Sequence, residues 1–112
     1  MLIQHEDFTI DCSAAERAVV AGVLRLPSPS AYEERLAPLR EGLLNADSTY
    51  TIDLSQVQFL NSSGITGISR LVLLARSEGK RLVLIGSRDA VWQGKTLRLI
   101  ARLYDKLEVE LV

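Results

Sequence analysis

Residues 53–64 read DLSQVQFLNSSG, and this stretch decides how the 112-residue chain folds. It begins at the end of Thr49–Leu54, whose β-branched and aromatic residues predict a buried strand. Phe59-Leu60 is a second, short apolar pair, and a polar, hydroxyl-rich turn follows it at 61–64. From Ser63 onward apolar residues recur every three or four positions, which predicts a largely covered amphipathic helix over 63–78. The stretch therefore joins a strand to a helix through a polar turn.

Upstream of this stretch the pattern predicts two strands and then a helix. Phe8–Cys12 and Ala18–Leu26 are expected to pair as an antiparallel hairpin. Ser30 and Glu33 have the spacing of a capping box, so we expect the helix to begin near Ala31. Pro38 removes a backbone donor inside this helix and predicts a kink or a restart.

Downstream, strands and helices continue to alternate. Gly79 has the position of a helix C-cap, and the segments after it are a strand over Arg81–Ile85, a helix over 89–104 and a strand over Glu108–Val112. Such alternation favours parallel pairing with crossover helices. The sequence therefore predicts an α/β fold in a single domain over 1–112. Its mixed sheet would be mainly parallel, with an N-terminal antiparallel pair and packed helices.

Composition excludes several classes of function. Thirteen basic and fourteen acidic residues give a net charge of −1, so no bulk positive field attracts nucleic acid. The longest apolar run, Leu71–Ala75, is far shorter than the roughly 20 residues that a membrane span needs. Glu6 and Asp7 stand where a signal peptide would be basic and then apolar. We expect a soluble, cytoplasmic protein that does not insert into membranes.

Charge is divided unequally along the chain. Residues 1–56 hold nine acidic and four basic side chains, whereas residues 57–112 hold five and nine. Part of the basic excess forms a basic stripe at helical spacing, which consists of Lys95, Arg98, Arg102 and Lys106. The stripe lies opposite the apolar residues of the same segment, Leu97, Ile100, Leu103 and Tyr104. A solvated helix face is the commoner meaning of such a stripe, and a docking face for an acidic partner is the alternative.

Recognisable catalytic and metal-binding patterns are incomplete. Gly94-Lys95-Thr96 resembles the end of a phosphate-binding loop, but the glycine required five residues earlier is replaced by Asp89. The only histidine, His5, lies in a stretch expected to fray, so a serine nucleophile lacks a base. Cys12 is the only cysteine, too few ligands for a structural zinc site. We predict no catalytic residue, no metal and no cofactor, and an enzyme is the least supported class.

The stretch 53–64 resembles the signature of STAS domains, the anti-sigma-factor antagonist family. In that family a strand ending in Asp-Leu-Ser leads to an Asp-Ser-Ser/Thr-Gly-Leu-type turn and the next helix. The resemblance extends more weakly to Gly22-x-Leu24 and to RLVLIG at 81–86, so it covers nearly the whole chain. It implies a STAS fold. Two positions depart from the pattern, because Asn61 replaces the usual Asp and Arg25 stands where many members are acidic.

The resemblance also implies a mechanism and a site. In these antagonists the first serine of the turn is phosphorylated by a partner kinase, which is itself the anti-sigma factor, and a phosphatase reverses the reaction. By position that serine is Ser62, with Ser63 as the second choice. The kinase is an ATPase of the histidine-kinase type, and ATP is its cofactor. The partner surface implied by the turn and the helix consists of Asn61, Ser62, Ser63, Gly64, Ile65, Gly67 and Ile68.

The residues themselves are compatible with such a switch. A phosphate on Ser62 would lie near a helix N-terminus, where the dipole favours an anion, and Gly64 and Gly67 would leave room for a partner. Alternatively, Ser62 only caps the helix. The competing functions are a constitutive scaffold, an accessory subunit of a lipid transporter, and a small-ligand module with its pocket beside the turn. The sequence leaves the oligomeric state open, with a homodimer as one option.

Overall fold

The computed structural model describes all residues of the chain, 1–112, and contains one six-stranded sheet. The strands are β1 (Leu2–Gln4), β2 (Phe8–Asp11), β3 (Arg17–Leu24), β4 (Thr49–Leu60), β5 (Arg81–Gly86) and β6 (Leu107–Leu111). The helices are α1 (Pro29–Arg35), α2 (Ala37–Asn45), α3 (Ser62–Glu78) and α4 (Val91–Ile100), and a 3-10 turn (Ala101–Leu103) extends α4.

The strands lie in the sheet in the same order as in the chain, β1 to β6. The pairs β1–β2 and β2–β3 are antiparallel, and the pairs from β3 to β6 are parallel. Because parallel crossovers are right-handed and each advances in the same direction, all four helices lie on one face of the sheet. Contacts between α3 and each of the other three helices agree with this layering. The predicted α/β fold is confirmed.

The core lies between the sheet and the helices. Alternate residues of the strands point into it, for example Ile52 and Leu84, neither of which has exposed surface. The strand residues that alternate with these point to the opposite face of the sheet. Among them are the buried Asp53 and the exposed Glu108 and Glu110. The helices therefore cover one face only.

The strand predicted to end at Leu54 continues to Leu60, so the break before Phe59 is wrong. Two irregularities explain the misleading pattern. Between its pairings with Val19 and Ala21, β4 advances from Asp53 to Gln56, one residue more than β3. Between its pairings with Gly22 and Val23 it again advances one residue too many. Each such bulge changes which face a side chain occupies and interrupts the apolar alternation of a strand that does not end.

Glycine at position 22 is required by its own backbone conformation and by the approach of β2. Gly22 has a φ of +109°, a conformation that other residues rarely adopt. A side chain there would also meet the backbone of β2, since an added Cβ would lie 2.9 Å from the Phe8 Cα. The glycine of the Gly22-x-Leu24 motif therefore allows the close approach of the antiparallel strands β2 and β3.

The helix boundaries confirm some predictions and correct others. The first helix begins at Pro29, and its cap is Ser28, whose hydroxyl accepts a hydrogen bond from the Ala31 amide at 3.2 Å. The capping box at Ser30 is therefore wrong, because Pro29 already occupies the first helical position. The predicted break at Pro38 is confirmed, since α1 ends at Arg35 and α2 begins at Ala37. Gly79 ends α3 in the left-handed conformation, as predicted.

The N-terminal residues are ordered in a strand that the sequence pattern did not predict. Leu2–Gln4 pairs with β2 along the edge of the sheet, with Ile3 opposite Ile10. The His5 ring stacks near the Phe8 ring, with 4.5 Å between their centroids. This end of the chain therefore forms the edge strand of the sheet and is not an unpaired tail.

Candidate functional site

The turn between β4 and α3 is held by Asn61, which is the N-cap of α3. Its Oδ1 accepts hydrogen bonds from the Gly64 amide at 2.9 Å and from the Tyr32 hydroxyl at 2.8 Å. Its Nδ2 donates to the carbonyl oxygen of Leu26 at 2.9 Å. Every polar group of this side chain therefore contacts a different part of the fold, which fixes the start of α3.

Tyr32 closes the network from α1. Its hydroxyl accepts a hydrogen bond from the Leu26 amide at 3.1 Å while it donates to Asn61. Both backbone groups of Leu26 are thus satisfied, one by Tyr32 and one by Asn61. Burial raises the pKa of the Tyr32 phenol above its ordinary value, and the Leu26 hydrogen bond offsets this only in part. The phenol therefore stays protonated and keeps donating to Asn61 around neutral pH.

Ser62 is the first residue of α3 and is exposed. Its hydroxyl makes no hydrogen bond within the chain, because the capping position belongs to Asn61. The alternative that Ser62 only caps the helix is therefore wrong. Ser63 is partly buried and its hydroxyl also lacks a partner within the chain. Of the two predicted serines, Ser62 is the more accessible, and it lies where the helix dipole favours an anion.

Gly64, Gly67 and Ile68 face the interior, which corrects their prediction as partner-binding residues. A Cβ on Gly64 would overlap the Leu60 side chain, and one on Gly67 would lie 2.9 Å from the Tyr32 Cβ. Ile68 is 1% exposed. The two glycines leave room for α1 and β4, and none for a partner on the surface.

The accessible part of the predicted surface is correspondingly smaller. Ser62 is exposed, and Asn61, Ser63 and Ile65 are half-buried. Thr66, one turn after Ser62, is also exposed, and its hydroxyl donates to the Ser62 carbonyl oxygen at 3.2 Å. A partner at this end of α3 would therefore contact polar side chains with one apolar neighbour, Ile65.

The Asp-Leu-Ser segment lies at the first bulge of β4. One oxygen of Asp53 accepts from the amide and the hydroxyl of Ser55, at 2.9 and 2.6 Å, and the other accepts from Arg17 Nη2 at 3.0 Å. These bonds span the first bulge of β4, where an extra residue would otherwise leave polar groups unpaired. Asp53 and Ser55 thus have structural roles.

A second buried side chain, Gln93 of α4, was missed by the sequence reasoning. Its Nε2 donates to the Val57 carbonyl oxygen and its Oε1 accepts from the Ser87 amide, both at 2.7 Å. Gln93 is 1% exposed and ties the end of β5 to the second bulge of β4. A glutamine inside an amphipathic helix gives no sequence signal for this, because its partners are backbone groups, one of them 36 residues away.

The residues of the basic stripe, Lys95, Arg98, Arg102 and Lys106, are all exposed. None of them has a carboxylate partner within the chain, whereas Arg25 pairs with Asp7 at 3.3 Å. Gly94-Lys95-Thr96 lies inside α4, three residues after the helix begins, and not in a loop before it. This segment therefore lacks the geometry of a phosphate-binding loop.

One cavity close to the turn lies between α1, α2 and α3. It measures about 190 Å³ and is lined by Tyr32, Glu33, Leu36, Arg40, Gly67, Arg70, Leu71 and Leu74. Ligand pockets usually measure about 300–1,000 Å³, so this cleft is small for an organic ligand. No group of three or more His, Cys, Asp or Glu side chains is placed to hold a metal ion. No helix combines the length and the apolar character needed to cross a bilayer.

Comparisons with known proteins agree with this fold. The family model described as "Mlab, STAS domain" matches residues 19–103. A chain in the crystal structure of the Pseudomonas aeruginosa diguanylate cyclase SiaD in complex with its activator SiaC superposes with a TM-score of 0.72 at 13% identity, over 100% of this chain and 99% of that one. The unphosphorylated form of the anti-sigma factor antagonist SpoIIAA superposes with a TM-score of 0.58 at 18% identity, over 91% of this chain and 86% of that one.

A comparison with curated protein sequences gives no significant match. The family model nevertheless spans more than half of the chain, from β3 to the 3-10 turn after α4. It includes the Asp-Leu-Ser segment, the Asn61 turn and the whole of α3. The chain therefore belongs to the STAS domain family.

Proposed function

We propose that residues 1–112 act as one non-enzymatic regulatory domain, which binds a protein partner through the start of α3 and is switched by phosphorylation of Ser62. By analogy with anti-sigma-factor antagonists, the partner is a serine kinase of the anti-sigma type with a histidine-kinase-like ATPase fold. A phosphatase restores the unmodified form. Phosphorylation weakens the binding of the kinase.

The observation that carries this proposal is that the exposed hydroxyl of Ser62 has no hydrogen-bond partner within the chain. In α1 the serine beside the helix start, Ser28, is used as the cap, whereas in α3 the cap is Asn61 and Ser62 has no structural hydrogen bond. Phosphorylation of Ser62 would therefore leave the N-cap of α3 intact. A phosphate adds a charge of about −1.5 to −2 at an exposed helix N-terminus.

The Asn61 network supports a switch that acts by charge and not by refolding. Three hydrogen bonds fix the Asn61 side chain to α1, to α3 and to the loop that follows β3. A phosphate on the next residue would thus project from a fixed turn. The local electrostatic field would change while the backbone stays in place.

Asn61 itself favours a second candidate, a constitutive subunit of a larger assembly. An aspartate could not donate to the Leu26 carbonyl oxygen, so asparagine suits the geometry of this turn but removes a negative charge beside Ser62. A kinase that recognises that charge would act less efficiently here. In this second function the same surface stays bound and unmodified.

The first experiment isolates the protein from its own cells with its copurifying partners. Mass spectrometry of the tryptic peptide Glu41–Arg70 reads the whole turn, because the peptide has no internal cleavage site. The switch requires phosphate on Ser62 and a copurifying ATPase. An unmodified peptide from a stable stoichiometric complex would favour the constitutive subunit.

Three variants then test the switch. Ser62→Ala should retain the partner and Ser62→Asp should lose it. Ser30→Asp is the matched control, since Ser30 is also an exposed serine in the first turn of a helix. Equal recovery of the partner with Ser62→Ala and Ser62→Asp would reject the switch while leaving the interaction intact.

A further inference from the structure

We propose that the groove between α3 and α4 binds an acidic amphipathic helix of the partner protein. This inference rests on the proposed function in one respect, namely that the partner is a protein that approaches the α3 side of the molecule. It adds the chemistry of the partner segment and an electrostatic reason why Ser62 controls its binding.

The groove has an apolar floor and two helical walls. It measures about 260 Å³ and is lined by Ile65, Ser69, Thr96, Leu99, Ile100 and Leu103. Leu99 is 61% exposed, and Leu73, further along α3, is 44% exposed. Uncovered leucines beside a concave apolar surface fit an apolar ridge from another molecule.

The charges around the groove have one sign. Lys95 and Arg102 stand four residues before and three residues after Leu99, so both neighbour it on the surface of the helix. Arg98, one residue before Leu99, points about 100° further round the helix, away from the groove. Neither α4 nor the 3-10 turn contains an acidic residue. A complementary segment therefore carries carboxylates beside its apolar ridge.

These cations have no partner inside the molecule. Five other arginines form ion pairs with carboxylates of the chain, at Arg17, Arg25, Arg40, Arg70 and Arg81. Lys95, Arg98 and Arg102 have no carboxylate within 4.0 Å. Their charges are available to an external acidic group, without first breaking an internal pair.

The shape favours a protein helix over an anionic membrane. A helix that lies on a bilayer presents a broad apolar face to the lipid. In α4 the apolar residues Leu97 and Ile100 are buried against the rest of the protein, with 1% and 3% exposure. The exposed apolar residues of α4 are Val91 and Leu99, which lie two turns apart and form no broad face, and only Leu99 lines the groove. One leucine beside a concave groove suits a ridge of leucines from a partner helix.

Ser62 lies at the end of this groove. Ile65 is one helical turn after it, about 4.5 Å along the axis of α3 at 1.5 Å per residue. A phosphate on Ser62 would place a double negative charge beside the entrance. It would repel carboxylates of a bound helix and so weaken binding without blocking the groove.

The probe is a fluorescent synthetic peptide of about 18 residues, long enough for a helix, with leucines at positions i, i+3, i+4 and i+7 and glutamates between them. A second peptide has the same composition with its leucines spread around the helix. A third replaces the glutamates by lysines. Fluorescence anisotropy with the full chain measures each dissociation constant, and the first peptide should bind more tightly than the other two.

The two double variants make the same change in total charge. In Lys95→Glu/Arg102→Glu the dissociation constant should rise by about 10-fold or more, because attraction becomes repulsion beside the groove. Leu99→Asp should weaken binding similarly. The control Arg35→Glu/Arg88→Glu makes the same charge change at exposed, unpaired arginines outside the groove and should change the constant by less than about 3-fold.

Several results would overturn the proposal. They are equal binding of all three peptides, equal effects of the two double variants, or binding of phosphatidylserine vesicles through Lys95 and Arg102 without binding of the peptide. Circular dichroism would verify that each variant is folded. Because the substituted side chains are exposed, folding should be unchanged.

The Ser62→Asp variant separates this inference from the proposed function. If binding of the peptide needs Lys95 and Arg102 but is unchanged in Ser62→Asp, the groove stands and the electrostatic coupling to Ser62 is wrong. If Ser62→Asp releases the native partner while binding of the peptide is insensitive to Lys95→Glu/Arg102→Glu, the switch stands and the acidic-helix groove is wrong.

Discussion

Asn61 organises the candidate site through contacts that its neighbours in the sequence do not make. It caps α3, accepts from Tyr32 and donates to the carbonyl of Leu26. Loss of its side chain removes a helix cap and leaves that carbonyl without its donor. The stability of the turn therefore depends on a residue that the family resemblance treats as a departure.

We expect Asn61→Ala to lower the free energy of unfolding by about 2 kcal/mol, since a cap and a partly buried hydrogen bond are lost together. Asn61→Asp should cost less, because its carboxylate still accepts from Gly64 and Tyr32. Asn45→Ala is the control, as Asn45 is exposed and its side chain makes no hydrogen bond. Urea denaturation measures all three. A loss with Asn61→Ala no larger than with Asn45→Ala would contradict this role.

The sequence resemblance located Ser62 and Asn61 but did not reveal which of them caps the helix. Both residue types are good caps, so local propensity does not distinguish them. The distinction comes from Tyr32, which lies 29 positions earlier and fixes the Asn61 side chain. Gln93 escaped prediction for the same reason, since its partners are backbone groups 36 and 6 positions away.

At the scale of elements, two helical glycines have different reasons for being there. Gly67 in α3 lies against Tyr32, where an added Cβ would approach the Tyr32 Cβ to 2.9 Å. Gly94 in α4 has space, since its added Cβ would lie 3.7 Å from the nearest atom, on Leu111. The first glycine sets how closely α3 approaches α1, and the second sets no such distance.

Alanine at the two positions should therefore have opposite effects. Gly94→Ala should stabilise the protein by up to about 1 kcal/mol through helix propensity. Gly67→Ala gains the same propensity but should be destabilised overall by about 1–2 kcal/mol, because Tyr32 must shift. Thermal unfolding of both variants tests this. Similar melting temperatures for the two would show that the contact with Tyr32 has no energetic role.

Element boundaries were predictable where a single residue type decides them. Pro38, which lacks a backbone donor, correctly predicted the break between α1 and α2. Gly79, which adopts the left-handed conformation, correctly predicted the end of α3. The end of β4 was not predictable, because two bulges mimic a strand end in the apolar pattern. Both bulges lie where β4 pairs with β3, and this pairing cannot be deduced from the apolar pattern of β4 alone.

At the scale of the whole molecule, the sheet has a protected centre and an exposed edge. β4 pairs with neighbours on both sides, whereas the three-residue β1 pairs only with β2. Stability against local opening should therefore fall from β4 towards β1.

Native-state hydrogen exchange should follow this order. The amides of Ile52 and Leu84 are expected to exchange most slowly, close to the limit set by global unfolding, and that of Ile3 much faster. Exchange measured residue by residue by NMR gives the comparison. Equal protection of Ile3 and Ile52 would mean that β1 unfolds only with the rest of the sheet.

The layering was largely predictable, because alternating strand and helix patterns admit few right-handed topologies. β1 was not predictable, since three residues give too short a pattern for periodicity. All helices share one face because of the order of the strands in the sheet, and that order is known only from the strand pairing.

That order has a consequence for biosynthesis. Each strand from β2 to β6 pairs with the strand made immediately before it. As the chain leaves the ribosome, every new segment therefore finds its neighbour already present and need not wait for a distant one. Ordered growth of this kind keeps each loop closure short and limits the time during which an unpaired strand edge is available for aggregation.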